Sequence, residues 1–193
     1  MQNNKFKQLY EHCQTLSPKV KRNQIIDKAV ELSGQPVRVV LTSLDTNVLR
    51  GFFISASNTE HPLVRENGRN VVVLAKGLNE CWDRFINVKE VMHLLDSADE
   101  VADSAEKFES LLNEWASPAL DSPDTVAVSD AIGIWKALAC FCPEANRLEF
   151  ETLLAKGQID HYGIALRLKI PKLYVPTLFR PEFKGIVEML IQR

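Results

Sequence analysis

One segment of the chain, residues 79–95, restricts the possible folds more than any other. Its sequence is Asn-Glu-Cys-Trp-Asp-Arg-Phe-Ile-Asn-Val-Lys-Glu-Val-Met-His-Leu-Leu. Asn79 is a typical N-cap residue, and apolar side chains cover most of the circumference of the helix that follows it. Such a helix has to be covered on several sides, so the remaining segments must supply packing layers around it.

The segments that precede this helix predict an α+β fold. A helical stretch at about residues 5–32 breaks near Ser17-Pro18 and stops at Gly34. Three short segments rich in branched and aromatic residues then predict strands at about 37–41, 49–54 and 70–74. Asn67-Gly68, between the last two, is the best hairpin signal in the chain. We therefore expect a small three-stranded sheet, antiparallel or mixed, packed on the 79–95 helix.

After that helix, the patterns are helical only. A largely apolar helix is expected from about Val126 to Phe141, with its end marked by Pro143. The remainder is expected to form a helical C-terminal portion. The 193 residues suit a single domain, 1–193, in which we distinguish an N-terminal helical segment (1–34), the sheet with the core helices (36–143) and a helical C-terminal segment (144–193).

The composition is that of a soluble globular protein, with 46% hydrophobic and 25% charged residues. No apolar run approaches the roughly 20 residues needed to cross a bilayer. The polar N-terminus lacks the apolar stretch of a secretory signal. Four cysteines are too sparse for a disulfide scaffold in a chain this long. We therefore expect reduced thiols, a cytoplasmic location and no membrane partner.

Charge is unevenly distributed along the chain. The net charge of −2 argues against a protein that coats nucleic acid, but the last forty or so residues lean basic. A helix-turn-helix that touches DNA is therefore conceivable at Tyr162–Phe179. Its leucines fit packing better, and Pro176 would interrupt a recognition helix. A structural helical hairpin is favoured, and nucleic acid is a possible but not a favoured partner.

Several charged or titratable side chains share one side of the 79–95 helix. At roughly 100° per residue, Lys89, Glu90 and His93 fall within an arc of about 100°, and Asp96 follows close by. Burying such groups without partners is costly. The pattern therefore indicates a cluster whose members satisfy one another or a bound group.

The residues around this cluster resemble the ImmA/IrrE-type metallopeptidase family. A strand at Asn70–Leu74, a short turn, Arg84-Phe85 and then Lys89-Glu90-x-x-His93 are similar to the family core, where Arg-Phe precedes His-Glu-x-x-His. Downstream, the pattern Asp130, Gly133, Ala137 and Pro143 is similar to the family's second helix, which carries an acidic third zinc ligand. The resemblance covers about residues 37–179 and is best over 70–95.

The resemblance implies a zincin-like active-site helix and a set of roles for its residues. Carried over, Glu90 is the general base, His93 a zinc ligand and Asp130 the acidic ligand. Arg84 and Asp96 would contact these residues and orient them without binding the metal themselves. Members of the family typically act on transcriptional repressors, which implies a regulatory protein as the partner.

Lys89 departs from the family pattern, because it stands where the first histidine ligand would be. An ammonium has no lone pair for a metal, and neutralising it at pH 7 from a reference pKa near 10.4 would cost about 4–5 kcal/mol. Three interpretations stay open. The Lys89 ammonium can replace the metal and bridge Asp130 or Asp96. A weak or recruited metal site can retain Glu90 and His93 and draw on Asp96. In the third interpretation, the helix is an ordinary one.

The sequence thus predicts a degenerate, metal-poor member of this group that acts as a regulatory protein-binding module. No cofactor is expected, or zinc if the site is active. The first alternative is an active zinc-dependent endopeptidase that cleaves a transcriptional repressor or another regulatory protein. The second is a DNA-associated regulator that uses the basic C-terminal hairpin.

Overall fold

The structure, a computed structural model, describes residues 4–96 and 125–192, with the side chains of 125–130 outside the description. Apart from a short helix between the second and third strands, the helices and strands of these two ranges follow the order expected from the sequence. Their bounds are α1 Lys5–Thr15, α2 Arg22–Ser33, β1 Val37–Thr42, β2 Gly51–Ile54, α3 Pro62–Asn67, β3 Asn70–Ala75, α4 Glu80–Val91, a 3₁₀ turn Met92–Leu95, α5 Thr125–Phe141, α6 Glu144–Ala155, α7 His161–Leu168, a 3₁₀ segment Lys172–Phe179 and α8 Phe183–Gln192.

Side-chain and glycine caps fix several of these boundaries. The Asn79 side-chain oxygen accepts a hydrogen bond from the Trp82 backbone N–H at 3.1 Å, which starts α4 where the sequence predicts it. Gly34 ends α2 in the left-handed conformation, with φ of 70°. Both boundaries confirm the sequence-based expectation.

The three strands form a mixed sheet in the order β1-β3-β2. β1 runs parallel to β3, with Val37 opposite Asn70, and β2 runs antiparallel to it, with Gly51 opposite Leu74. All six residues of β3 are buried, as the central strand of a sheet covered on both faces requires. The mixed sheet is one of the two arrangements that the sequence allowed.

The tight hairpin predicted at Asn67-Gly68 is wrong. The chain between β2 and β3 instead forms the short helix α3, with Pro62 in its first turn. Gly68 caps that helix with φ of 62°, and its N–H donates to the Val64 carbonyl oxygen at 2.7 Å. A helix C-cap and a two-residue hairpin both require a left-handed residue, so Asn-Gly alone does not distinguish them.

α4 lies at the centre of the core and contacts β2, β3, α2 and α5. Its residues from Phe85 to Val91 are all buried, as its apolar circumference predicts. The Phe85 ring stacks on Tyr174 with centroids 4.5 Å apart, and on Phe141 at 6.2 Å. The last helix, α8, packs on α1 and α5 and so closes the core with the two ends of the described chain. The fold is α+β.

In the described ranges, 4–96 and 125–192, no helix combines the length and apolarity that crossing a membrane requires.

Gly51→Ala tests the close packing of α4 on the sheet. A Cβ at this position would lie 2.6 Å from Ile86 Cγ2 and 2.8 Å from the Val73 carbonyl oxygen. The Val73 carbonyl oxygen is a backbone atom of the central strand, so it cannot move aside without distorting the sheet. We therefore expect a loss of about 1–3 kcal/mol in the free energy of unfolding, measured by urea denaturation.

Gly185→Ala is the matched control, because a Cβ there meets open space within α8. It should leave stability unchanged or raise it by about 0.5–1 kcal/mol. Equal losses in the two variants would contradict the packing argument.

Candidate functional site

The end of α4 and the following 3₁₀ turn bring Lys89, Glu90 and His93 together, as their helical spacing predicts. Their side chains are 7%, 2% and 8% exposed, respectively. The Lys89 ammonium lies 2.9 Å from Glu90 Oε1, and the Nε2 of His93 lies 3.7 Å from Glu90 Oε2. The Glu90 carboxylate therefore has a cation at one oxygen and an imidazole near the other.

Asp96 connects this cluster to α5. Its Oδ2 lies 2.7 Å from the Nδ1 of His93, and its Oδ1 accepts a hydrogen bond from the Lys136 ammonium at 2.6 Å. The Asp96 and Lys136 side chains are 3% and 12% exposed, so this is a buried charged contact. Lys136 thus links α5 to the residue that follows the 3₁₀ turn. The bridge from Lys89 to Asp130 that the sequence allows involves a side chain outside the described residues.

Lys136 is the site residue that sequence reasoning missed. One signal was available, since Lys136 is the one charged residue between Ile134 and Cys142 in a largely apolar helix. A lone ammonium on an apolar helix predicts a buried carboxylate partner. The sequence could not say which carboxylate, because Asp96 is forty positions away.

The charges of the cluster reinforce one another. Burial alone would lower the pKa of His93, but the hydrogen bond with Asp96 and the negative charges of Asp96 and Glu90 raise it above its ordinary value. Burial would likewise raise the pKa of Asp96, yet its contacts with His93 and Lys136 hold that pKa well below the usual range. The Asp96 carboxylate is thus ionised at neutral pH, and protonation of His93 is favoured.

The residues described here do not fit a three-ligand zinc site. Among them, no three His, Cys, Asp or Glu side chains are grouped so that they could hold a metal ion. The side chain of Asp130, expected to be the acidic ligand, lies outside the described residues. Of the expected ligands, His93 supplies an imidazole. Lys89, at the position where the sequence resemblance expects a second histidine, carries an ammonium, which cannot donate an electron pair.

A cleft of about 240 Å³ lies beside the cluster and is lined by Lys89 and Glu90. The start of β2 forms one wall, and the Arg50 guanidinium there lies over the Trp82 ring, 4.2 Å from its centroid. Tyr174 lines the cleft as well and contacts Trp82 edge to face, at 5.8 Å between centroids. The ion pair is therefore reached from a cleft with aromatic walls.

Arg84 does not join this cluster. Its Nη2 donates to the Val20 carbonyl oxygen, and its guanidinium lies 4.5 Å from the centroid of the Phe141 ring. It lines a different cavity from the one that Lys89 and Glu90 line. Arg84 therefore connects α4 to the loop before α2, and its described contacts do not include Glu90 or His93.

No model of a known protein family matches the chain, and neither does any curated protein or solved structure.

Asp96→Asn tests whether the buried carboxylate holds the cluster together. The variant removes the anion that pairs with two buried groups, the Lys136 ammonium and the His93 imidazole. We expect a loss of about 3–5 kcal/mol in the free energy of unfolding near pH 6, measured by urea denaturation.

The stability gained from charged His93 is fully present below its unfolded pKa of about 6.5 and is lost as pH rises through the raised folded value. The difference in free energy of unfolding between parent and Asp96→Asn should therefore shrink as the pH rises through the raised pKa of folded His93. Glu188→Gln, which breaks the exposed pair with Lys184, should cost at most about 0.5 kcal/mol at every pH. A similar cost in both variants would contradict the role of Asp96.

Proposed function

We propose that this chain is a degenerate, metal-poor relative of the ImmA/IrrE-type metallopeptidases and acts as a regulatory protein-binding module. The observation that carries the proposal is the 2.9 Å contact between the Lys89 ammonium and the Glu90 carboxylate, both buried. The ammonium thus lies directly beside the carboxylate that would have to act as the base toward water. It also places a positive charge where the resembled family has a metal ligand.

The contact of Lys136 with Asp96 supports the same proposal. A zinc ion can join two helices by taking ligands from both. Here a charge-assisted hydrogen bond of 2.6 Å joins α5 to the residue that follows the 3₁₀ turn of α4. The helix pairing is therefore maintained by ionic contacts, so a relative that has lost its metal can keep its shape.

An exposed apolar surface supports a protein partner. A groove of about 490 Å³ lies between the start of α4 and the helices α7 and Lys172–Phe179, and we refer to it as the apolar groove. Three of its side chains are large and well exposed: Tyr162 at 56%, Leu166 at 54% and Leu173 at 70%. Adjoining exposed apolar residues of this size are typical of protein interaction sites.

One observation favours the alternative of a zinc-dependent endopeptidase. The Nδ1 of His93 is bound to a carboxylate, and the Nε2 points toward Glu90. Metal-ligating histidines commonly use one nitrogen for such a carboxylate and the other for the metal. Measurement of bound zinc separates the two candidates.

Lys89→His tests the loss of the metal site. Restoring an imidazole at this position supplies the missing electron-pair donor, so we expect about one equivalent of zinc in the variant and almost none in the parent. The measurement is metal analysis of purified protein after incubation with zinc and removal of the excess.

Lys89→Leu is the matched control, since it removes the ammonium without adding a ligand. All three proteins are first compared by circular dichroism and thermal unfolding. Low zinc in Lys89→Leu shows that the gain requires the imidazole. One equivalent in the parent would overturn the metal-poor proposal and favour the endopeptidase.

Leu166→Glu tests the apolar groove as the surface that binds a partner. Peptides selected from a random library on the parent should carry apolar or aromatic side chains. Because a carboxylate in the groove opposes their burial, binding should weaken at least about tenfold, which corresponds to about 1.4 kcal/mol. The measurement is fluorescence anisotropy with a labelled selected peptide.

Leu148→Glu is the control, because Leu148 is similarly exposed at 49% but does not line the groove. Its affinity for the same peptide should equal that of the parent. Equal weakening in both variants, or selected peptides that bind Leu166→Glu as well as the parent, would contradict this part of the proposal.

A further inference from the structure

A second cavity carries a feature that the proposed function does not use. It has a volume of about 240 Å³ and is formed by the loop before α2, by α4 and by the end of α7. Five cationic side chains and one carboxylate line it: Lys19, Lys21, Arg84, Arg167, Lys169 and Glu80. We refer to it as the cationic pocket. We infer that it binds the phosphate or diphosphate group of a small phosphorylated molecule.

The charge of the cationic pocket is a product of the fold. Its charged residues come from three parts of the sequence, and the whole chain has a net charge of −2. A concave site lined by one sign of charge concentrates its field and attracts small ions of the opposite sign. The pocket therefore has the electrostatics of an anion site in an otherwise slightly acidic protein.

The surroundings of the Arg84 guanidinium favour a bound anion. Its partners in the described part of the chain are a neutral carbonyl oxygen, that of Val20, and the face of Phe141. Its Nε is buried and, among the described residues, has no hydrogen-bond partner. Burial and the nearby charge of Arg22 also lower the pKa of Arg84. A phosphate group in the pocket would compensate this charge.

The one carboxylate of the pocket does not neutralise it. Glu80 accepts a hydrogen bond from Lys169 at 2.6 Å, and the two side chains are 71% and 45% exposed. An exposed pair of this kind contributes little to stability, so it opposes a competing anion only weakly. Arg167 lies 4.0 Å from Glu149, again as an exposed pair. Lys19 and Lys21 form no ion pair with any carboxylate that the structure describes.

The size of the pocket favours a small ligand over a nucleic acid. Its volume is below the about 300–1,000 Å³ of sites that hold drug-sized molecules, so it suits a single phosphate or diphosphate group. Duplex DNA is bound through many phosphates along an extended surface, which calls for a basic stripe rather than one concave point. Arginine and lysine together supply the forked and single donors that phosphate oxygens accept.

Titration with inorganic pyrophosphate tests the inference on the full chain. Isothermal calorimetry should give saturable binding to one site in the parent. Lys19→Gln combined with Arg167→Gln neutralises two exposed residues of the pocket, and it should weaken that binding at least about tenfold. Thermal unfolding without ligand shows whether the double variant is folded.

Lys156→Gln combined with Lys184→Gln is the matched control, since it makes the same change in net charge at exposed residues that do not line the pocket. It should bind pyrophosphate like the parent. Equal weakening in both double variants would show a general charge effect and overturn the site, as would the absence of saturation at about 10 mM.

A short DNA duplex is titrated in parallel at two salt concentrations. We expect pyrophosphate to bind and the duplex to bind weakly or not at all. Duplex binding that falls steeply with salt, without pyrophosphate binding, would overturn it in favour of nucleic acid. Because neither result depends on Lys89 or on zinc, failure here is independent of the proposed function.

Discussion

The contacts of the buried Asp96 carboxylate hold together the two helices at the centre of the core. Asp96 accepts a hydrogen bond from Lys136 on α5 and pairs with His93 in the 3₁₀ turn after α4. All three side chains are nearly inaccessible to water. Buried ions of this kind add little net stability compared with apolar residues of the same size. Loss of either partner leaves a charge unpaired in the interior, so the contact favours the observed pairing of the two helices over packings that separate Asp96 from Lys136.

Under the proposed function, ionic contacts of this kind would do the positioning that a metal ion does in the resembled family. A metal ion fixes its ligands by distance and geometry, whereas ammonium groups need only oxygen atoms within hydrogen-bond reach. The Lys89–Glu90 contact and the Asp96–Lys136 contact meet that weaker requirement with side chains from the chain itself. The proposed loss of zinc therefore needs no change of fold, and it leaves the cleft and the apolar groove available for binding.

Local features of this chain were predictable from sequence, while pairings between distant segments were not. Asn79 and Gly34 mark helix ends because their side-chain or backbone chemistry acts within a few residues. The grouping of Glu90 with His93 follows from helical periodicity for the same reason. The partnership of Lys136 with Asp96, the separation of Arg84 from the cluster and the order of the strands arise only in three dimensions. The hairpin prediction at Asn67-Gly68 was wrong because this dipeptide is typical both of a two-residue hairpin turn and of a helix C-terminus.

The order of strands has a consequence for how the chain assembles during synthesis. β1 and β2 do not pair with each other, since both pair with β3, which is the last of the three to be made. Until residue 75 has left the ribosome, the first two strands have no neighbour in the sheet, and their backbone groups bond to water. Non-local pairings of this kind form slowly. The backbone N–H and C=O groups of β1 and β2 therefore stay without sheet partners for longer than in a sheet whose consecutive strands pair.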